Sequence, residues 1–371
     1  MIIGIDGNEA NVLEKVGISE YAFELLLNFE KFKAGDIDFR VYLKNTPRPE
    51  LPKARKGWEY RIVGPKKLWT QLGLPVDLYR NAQRPDVFFS PTHYSPRFSP
   101  VPTVVSVMDL SYILYPELFK KSDLYQLKNW TAYSVKNAKR IFTISQSSKD
   151  DIIKTYQISP QKVVVTYPGI KKENSKTEMA STVTLKNKYG VSGDYILFVG
   201  TLQPRKNIVR LIEAFQLVSS KFDDITLVII GKKGWMFEDI LNTPAKKGLS
   251  DRVKFLSFVP DDDLASFYKR AIFFILPSLY EGFGLPVLEA MKQGCPVITS
   301  NVSSLPEAGG DAALYVDPTD TEDIAQKMKL LLQDKDLRKK LTEKGFDQIK
   351  KFSWEKTAKK TLEVLEEVAR S

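Results

Sequence analysis

The chain has 371 residues, 43% hydrophobic and 27% charged, with 20 glycines and 21 prolines; this is a globular composition too long for one ordinary core, so about two domains are expected and disorder or a fibrous repeat is excluded. One cysteine, Cys295, and one histidine, His93, exclude an internal disulfide framework, cysteine-based zinc and iron–sulfur sites, and any zinc site built on several imidazoles. The formal net charge of +10 sits mostly in residues 1–180, which hold 27 Lys and Arg against 19 Asp and Glu, and points to an anionic partner: nucleic acid, phospholipid or a phosphorylated small molecule.

The opening MIIGIDGNEA has neither the basic n-region nor the apolar run of a signal peptide. No stretch reaches the roughly 18 apolar residues of a membrane span. The expectation is a cytoplasmic protein, with peripheral contact at the inner face of the plasma membrane left open. Short β-branched apolar runs predict strands at Ile2–Ile5, Phe39–Leu43, Tyr60–Val63, Asp86–Phe89, Thr103–Val107, Arg140–Ile144 and Val163–Thr166. A helical pattern covers Ile18–Phe32. Residues 171–193 are polar and read as an interdomain link, with a short helix at Thr182–Tyr189. Strands are then predicted at Tyr195–Val199, Ile225–Ile230, Val253–Ser257, Ile272–Leu276, Val297–Thr299 and Leu314–Val316, with helices at Ile208–Ser219 and Ser353–Arg370.

Runs that are apolar on both faces and separated by helices imply parallel sheets covered on both sides. The fold class is therefore α/β, with two doubly wound Rossmann-like domains at 1–175 and 190–354. The last helix, about 355–371, is expected to pack back on the first domain. Ligands of such sheets bind at the carboxyl ends of the strands, here in the crevice between the domains.

Two loops carry the chemistry. Strand Tyr195–Val199 runs into Gly200-Thr201-Leu202-Gln203-Pro204-Arg205-Lys206-Asn207. Glycine directly after a strand lets a ligand approach the backbone. Arg205 offers a planar fork and Lys206 a point charge, a combination suited to a diphosphate. The alternative is a basic surface turn. The second loop is Pro277-Ser278-Leu279-Tyr280-Glu281-Gly282-Phe283-Gly284-Leu285-Pro286-Val287-Leu288-Glu289. Pro286 suits the first turn of a helix. The Gly282-Phe283-Gly284 segment then precedes a helix N-terminus, whose N–H groups and dipole favour anionic or hydroxyl-rich ligands. Glu281 and Glu289 would address different parts of one extended ligand, as carboxylates accept hydrogen bonds from sugar hydroxyls. The alternative is a glycine-rich turn with a helix-start acid.

At these residues the sequence resembles the retaining glycosyltransferases of family four, which have the GT-B fold of two Rossmann-like domains facing each other across a cleft. That family's signature is a Glu, seven residues, then Glu, and EGFGLPVLE places Glu281 and Glu289 on it. The resemblance extends to the GTLQPRKN loop, to Gly231 after a strand, to FVPDDDL (Phe258–Leu264) and to CPVITSNVSSLPE (Cys295–Glu307). It covers about residues 193–355 closely and the first half more loosely.

The resemblance implies that Arg205 and Lys206 neutralise the donor diphosphate beside Gly200, Gly231 and Ser278. It implies that Glu281 contacts the transferred hexose, that amides around Gly282, Phe283, Gly284 and Leu285 support its hydroxyls, that Glu289 binds the ribose, and that Val259 lies near the base. Gly17 would face the donor from the first, acceptor-binding domain; there the family often shows Gly-x-Gly, and Ser19 replaces the second glycine. Many relatives carry His-Asp where this chain has Met108-Asp109. Asp109 and His93 are the remaining candidates for catalytic roles in that half.

DLSYILYPELF after the HYSP loop looks most like mannosyltransferases of bacterial surface-polysaccharide assembly. That implies GDP-mannose as donor, a glycan or lipid-linked acceptor, and no required cofactor or metal. Two alternatives stay open: a catalytically silent sugar-nucleotide-binding protein, and a phosphorylase-like enzyme using pyridoxal phosphate on a lysine.

Weaker signals have plainer readings. In Asp261-Asp262-Asp263 one acid is expected to cap a helix starting near Leu264, with a metal as the alternative. Cys295 reads as a small buried residue. Between Arg48 and Arg80, Lys53, Arg55, Lys56, Arg61, Lys66 and Lys67 lie beside Trp58, Leu68, Trp69, Leu72 and Leu74. That mixture suits an anionic membrane surface or a lipid-linked acceptor, or else a solvated loop and a core-packed helix. No nucleic-acid-binding motif is present, so nucleic acid is not an expected partner.

Overall fold

The computed structural model describes residues 1–15, 17–32, 37–171 and 182–371. The chain divides into two compact units: Met1–Gly169 with Ser353–Ser371, and Ile170–Phe352. All thirteen expected strands form, with ends shifted by at most two residues.

The first unit holds β1 (Ile2–Asp6), β2 (Asp38–Leu43), β3 (Trp58–Ile62), β4 (Val87–Ser90), β5 (Thr103–Ser106), β6 (Arg140–Thr143) and β7 (Val163–Val165). They make one parallel sheet in the order β3-β2-β1-β4-β5-β6-β7. The second unit holds β8 (Tyr195–Val199), β9 (Thr226–Ile230), β10 (Val253–Leu256), β11 (Phe273–Leu276), β12 (Val297–Ser300) and β13 (Ala313–Val316). Its parallel order is β10-β9-β8-β11-β12-β13. Successive residues such as Phe88 and Phe89, or Phe273 and Phe274, are both fully buried, because helices cover both faces of each sheet. Each strand order reverses once, between β1 and β4 and between β8 and β11. Those switch points are where doubly wound sheets open a crevice for ligands.

The C-terminal helix, Trp354–Arg370, belongs to the first unit. Its Trp354, Ala358, Leu362, Leu365 and Val368 recur at helical spacing and join the core beneath helix Ile18–Phe29. Tyr21 and Trp354 meet edge to face at 5.9 Å. The helix expected to reach Phe32 stops at Phe29, where Lys31 and Phe32 donate to carbonyls only three residues back and tighten the chain into a turn. Helix Thr182–Tyr189 is present, whereas residues 172–181 of the expected link lie outside the described residues.

Candidate functional site

In the second unit the loops after β8, β9, β10 and β11 converge at the strands' carboxyl ends. Gly200 follows β8 and Gly231 follows β9. A Cβ on Gly231 would fall onto the Gly200 carbonyl, so these two backbones can touch only because no side chain stands between them. Beyond Gly200, a tight turn at Pro204–Lys206 presents Arg205 and Lys206. Asn207, in the left-handed conformation at φ +60°, donates to the carbonyls of Pro277 (3.0 Å) and Pro318 (2.6 Å). The Arg205 carbonyl accepts from Leu279 N at 2.9 Å. These bonds fasten the loop after β8 to the loop after β11, across the switch point of the sheet.

That fastening sets the central cluster. Glu281 is only 6% exposed. Its Oε1 accepts from Lys206 Nζ at 2.5 Å and Ser278 Oγ at 2.6 Å, and its Oε2 from Arg205 Nη1 at 3.0 Å. Arg205 Nη1 also donates to the Tyr280 carbonyl at 2.5 Å. The backbone of Glu281 is held on both sides: its N–H donates to Ser303 Oγ (3.0 Å), and its carbonyl accepts from Ser304 Oγ (2.8 Å). Burial alone would raise the Glu281 pKa. The charges of Lys206 and Arg205, with the hydrogen bonds from Lys206 and Ser278, outweigh it and hold the carboxyl at about 2. Two cations and one carboxylate leave the cluster with a net positive charge.

The neighbouring helix adds to it. Gly284, at φ +104°, precedes helix Leu285–Lys292. A Cβ there would lie 2.8 Å from Leu305 Cδ2, so conformation and space both call for glycine. The helix therefore starts beside the cluster with the positive end of its dipole, while Pro286 has no N–H and Val287 N donates to the Gly284 carbonyl at 2.9 Å. The Phe283 ring is buried and packs edge to face on Phe352 at 5.2 Å, leaving only its backbone for a ligand. Glu289 is half-buried on the same helix, with Oε2 accepting from Tyr268 OH at 3.0 Å. Val259 is buried in the loop after β10, beside Phe258, which is 64% exposed and carries the Lys232 ammonium 5.6 Å from its ring centre.

Sequence reading missed two features here. It treated Arg205, Lys206 and Glu281 as facing separate parts of a ligand, whereas the fold pairs them across 75 and 76 positions. It also passed over Gln203, which is buried with its Oε1 lacking any hydrogen-bond partner among the described residues. An acceptor buried without a partner in a ligand loop is a place for a ligand hydroxyl.

The Asp261–Asp263 expectation is corrected. The helix begins at Asp261, with Pro260 at its cap position and no side chain capping it. Asp263 instead accepts from Lys188 Nζ (2.6 Å) and Tyr189 OH (2.5 Å), and Asp261 from Lys171 Nζ (3.3 Å). Acids inside the first turn favour the dipole without capping it. Among the described residues, no group of three or more His, Cys, Asp or Glu is placed to hold a metal ion.

The remaining candidates lie in the first unit. Gly17, at φ +54°, precedes helix Ile18–Phe29 with open space beside its Cα. His93 follows β4; its Nδ1 is buried and has no hydrogen-bond partner among the described residues. Burial pushes the imidazole pKa down, opposed by the charge of Asp109. Asp109 follows β5, and its Oδ1 accepts from Ser111 N (2.8 Å) and Ser111 Oγ (2.6 Å). Met108 packs into the core of the unit. Between residues 48 and 80, Trp58, Trp69 and Leu74 are core residues and not membrane contacts. Trp69 Nε1 donates to the Val63 carbonyl at 3.0 Å. Leu68 and Leu72 are exposed, together with Val76 and Tyr79.

Comparison with known proteins decides the family. The chain matches Glycosyl transferases group 1 over residues 185–348 and Glycosyltransferase Family 4 over residues 17–174. It is 36% identical over 262 residues to O-antigen chain mannosyltransferase B of Escherichia coli, an alignment covering 70% of this chain and 68% of that one. The chain is a GT-B family glycosyltransferase. It is also 34% identical over 231 residues to the serotype-specific mannosyltransferase WbdA of Escherichia coli, where the match takes in 61% of this chain but only 28% of WbdA. Sucrose-phosphate synthase from Thermosynechococcus elongatus shares the fold over 100% of both chains, with a TM-score of 0.75 at 18% identity. In this glycosyltransferase the family's Glu-x₇-Glu pair is thus split: Glu281 is locked between two cations, and Glu289 is held by a tyrosine.

Proposed function

We propose that this glycosyltransferase moves mannose from GDP-mannose to a hydroxyl of a lipid-linked acceptor glycan, with retention of configuration, in cell-surface polysaccharide assembly. The observation that carries the reading is the buried Arg205–Glu281–Lys206 cluster beside the start of helix Leu285–Lys292. In the transfer, the bond between the sugar C1 and the diphosphate oxygen breaks, and a bond from C1 to the acceptor oxygen forms on the same face. The acceptor's proton passes to the departing phosphate oxygen. Charge grows on the diphosphate as it leaves, and preorganised cations and the positive end of the helix dipole stabilise it without reorganising. Glu281 keeps Arg205 and Lys206 fixed while contacting the hexose; Glu289 binds the ribose; Val259 borders the base. The mannosyl donor is supported by the names of two relatives, O-antigen chain mannosyltransferase B and WbdA.

The cations supply what a divalent metal supplies in other transferases, so the reaction needs no metal. The test is a thermal-shift screen of nucleotide sugars followed by a transfer assay in EDTA. GDP-mannose should give the largest shift, and transfer should survive the chelator. A larger shift from another nucleotide sugar replaces the donor, and activity lost in EDTA and restored by Mg²⁺ or Mn²⁺ removes the metal-free mechanism.

The same reading puts the enzyme in the cytoplasm, in peripheral contact with the anionic inner face of the membrane. Among the described residues no helix is long and apolar enough to cross a bilayer. Support for the contact comes from exposed Leu68, Leu72, Val76 and Tyr79 beside exposed Lys66, Lys67 and Arg80. Apolar side chains flanked by basic ones suit an anionic interface. Vesicles containing phosphatidylglycerol should sediment the protein at low salt and release it at high salt. Recovery in the supernatant at low salt would remove the contact.

A further inference from the structure

Glu289 is half-buried on helix Leu285–Lys292, and rotatable side-chain bonds separate its carboxylate from the backbone. A glutamate free to turn about those bonds has to be frozen each time a ligand binds, and the lost freedom weakens binding. In this chain another side chain does the freezing beforehand: Glu289 Oε2 accepts from Tyr268 OH at 3.0 Å.

Tyr268 is itself immobile. It belongs to helix Asp261–Arg270 and is only 2% exposed. Its ring packs edge to face on Phe274 of β11, with centroids 5.4 Å apart. One residue earlier, the Phe267 carbonyl accepts from Tyr195 OH at 2.8 Å, which ties the same helix to β8. β8 and β11 are neighbours in the sheet, and the loops that follow them carry Arg205, Lys206 and Glu281. The Tyr268 hydroxyl is thus placed from the same two strands as the phosphate cluster. A packed tyrosine ring leaves its oxygen little freedom. Burial and the Glu289 carboxylate push the phenol pKa well above the ordinary 10, so the hydroxyl keeps its proton and donates throughout the neutral range.

The choice of partner is informative. A buried phenol needs an acceptor, and a backbone carbonyl serves, as it does for Tyr195. Tyr268 takes instead the second carboxylate of the Glu-x₇-Glu pair, across 21 positions of sequence. The bond joins two helices through a side chain that a ligand also needs.

We infer that Tyr268 is a positioning residue for nucleotide recognition, its hydroxyl holding the Glu289 carboxylate in the orientation that accepts from the ribose 2′- and 3′-hydroxyls. The inference rests on the reading above that Glu289 binds ribose, and adds how that carboxylate is aimed. Tyr268 acts through Glu289 and not on the ligand.

The probes are GDP, UDP and ADP, each beside its 2′,3′-dideoxy analogue. They are titrated calorimetrically into the wild type, Tyr268→Phe, Glu289→Ala and the double variant. Within each protein the ratio of the dideoxy Kd to the ribonucleotide Kd reports the ribose hydroxyls, and any general loosening of the fold cancels. The wild type should prefer the ribonucleotide, and Glu289→Ala should abolish the preference. Tyr268→Phe removes one oxygen and keeps the ring. It should weaken the ribonucleotide by roughly 3- to 10-fold, the cost of immobilising one long side chain, and leave the dideoxy analogue unmoved. Added to Glu289→Ala it should change neither Kd further, as expected of two residues that act through one contact. In the transfer assay Tyr268→Phe should raise the donor KM more than it lowers kcat. If Tyr268→Phe does not fold, Tyr268→Met, which fills the space without a donor, carries the same test.

The inference is overturned if the folded Tyr268 variant keeps the wild-type ratio, or weakens ribonucleotide and dideoxynucleotide alike, the pattern of a hydroxyl that serves only packing. Either result leaves the ribose reading in place provided Glu289→Ala has lost the preference. A wild type that binds both forms equally, or binds none of the three nucleotides, removes the ribose role of Glu289 and this inference with it.

Discussion

Replacing Arg205 and Lys206 together with alanine should lower turnover at saturating donor by at least the roughly 10²–10³ that one stabilising donor supplies in such a site. It should also destabilise the second unit, because both cations that face Glu281 are removed. The side chains of Glu281, Lys206 and Arg205 are only 8%, 10% and 15% exposed. Stranding a buried charge in this way costs about 3–5 kcal/mol. The two effects come apart when Glu281→Gln is added. The triple variant should recover much of the lost melting temperature, since no buried charge is left alone, and none of the turnover.

The pH dependence has a definite sign. In the wild type the Glu281 carboxyl is held at about 2, below its ordinary 4.5. Its contribution is complete above pH 4.5 and is lost as pH falls from there toward 2. In the double variant burial dominates and the folded-state pKa rises above 4.5. That variant should therefore gain relative stability as pH falls toward about 5, where the wild-type contribution of this group stays constant, in urea melts across that range. A double variant that keeps half its turnover at saturating donor would remove the diphosphate assignment.

The fold was legible because parallel strands buried on both faces must be apolar at successive positions, as at Phe273-Phe274-Ile275-Leu276. Helices between them show the 3.6-residue period, as at Ile208–Ser219, whose bounds match expectation. The loops after β8 and β11 were legible because glycine, proline and charged residues stand out against such strands. What lay hidden was partnership over long separations. Nothing near Glu281 in sequence indicates that Lys206 neutralises it. Nothing near Asp263 indicates that Lys188 and Tyr189 hold it. The membrane reading of residues 48–80 went partly astray for a related reason. Trp58 and Trp69 point into the core while Leu68, next to Trp69, points out, and a tight π-turn at Trp69–Gly73 does not follow the period of an ordinary helix.

Substitution at His93 and at Asp109 should each lower kcat, by up to the roughly 10²–10⁴ associated with acid–base groups. Met108 stands where the family resemblance implies a histidine, and a thioether packed into the core accepts no proton. If the departing phosphate oxygen takes the acceptor's proton, a histidine there aids positioning and is not indispensable, and the wild type should be active despite Met108. His93 supplies an imidazole from the loop after the adjacent strand β4. Burial lowers its pKa below the ordinary value, so the imidazole is mainly neutral at about pH 7, and the role proposed for it is hydrogen bonding. A kcat profile of the wild type should accordingly show no step at the ordinary histidine value of about 6.5.

Asp109 needs a sharper variant, because its Oδ1 also holds the turn at Ser111. The substitution Asp109→Asn keeps an acceptor for that turn and removes the charge. If Asp109→Ala and Asp109→Asn lose turnover alike while Asp109→Asn melts as the wild type does, the charge is what matters. If Asp109→Asn turns over normally, Asp109 is a structural cap. If His93→Ala does so as well, neither residue belongs to the site. A wild type that binds donor tightly and transfers to no saccharide or lipid-linked acceptor would move the weight to a sugar-nucleotide-binding protein, with Met108 as the substitution that silenced it.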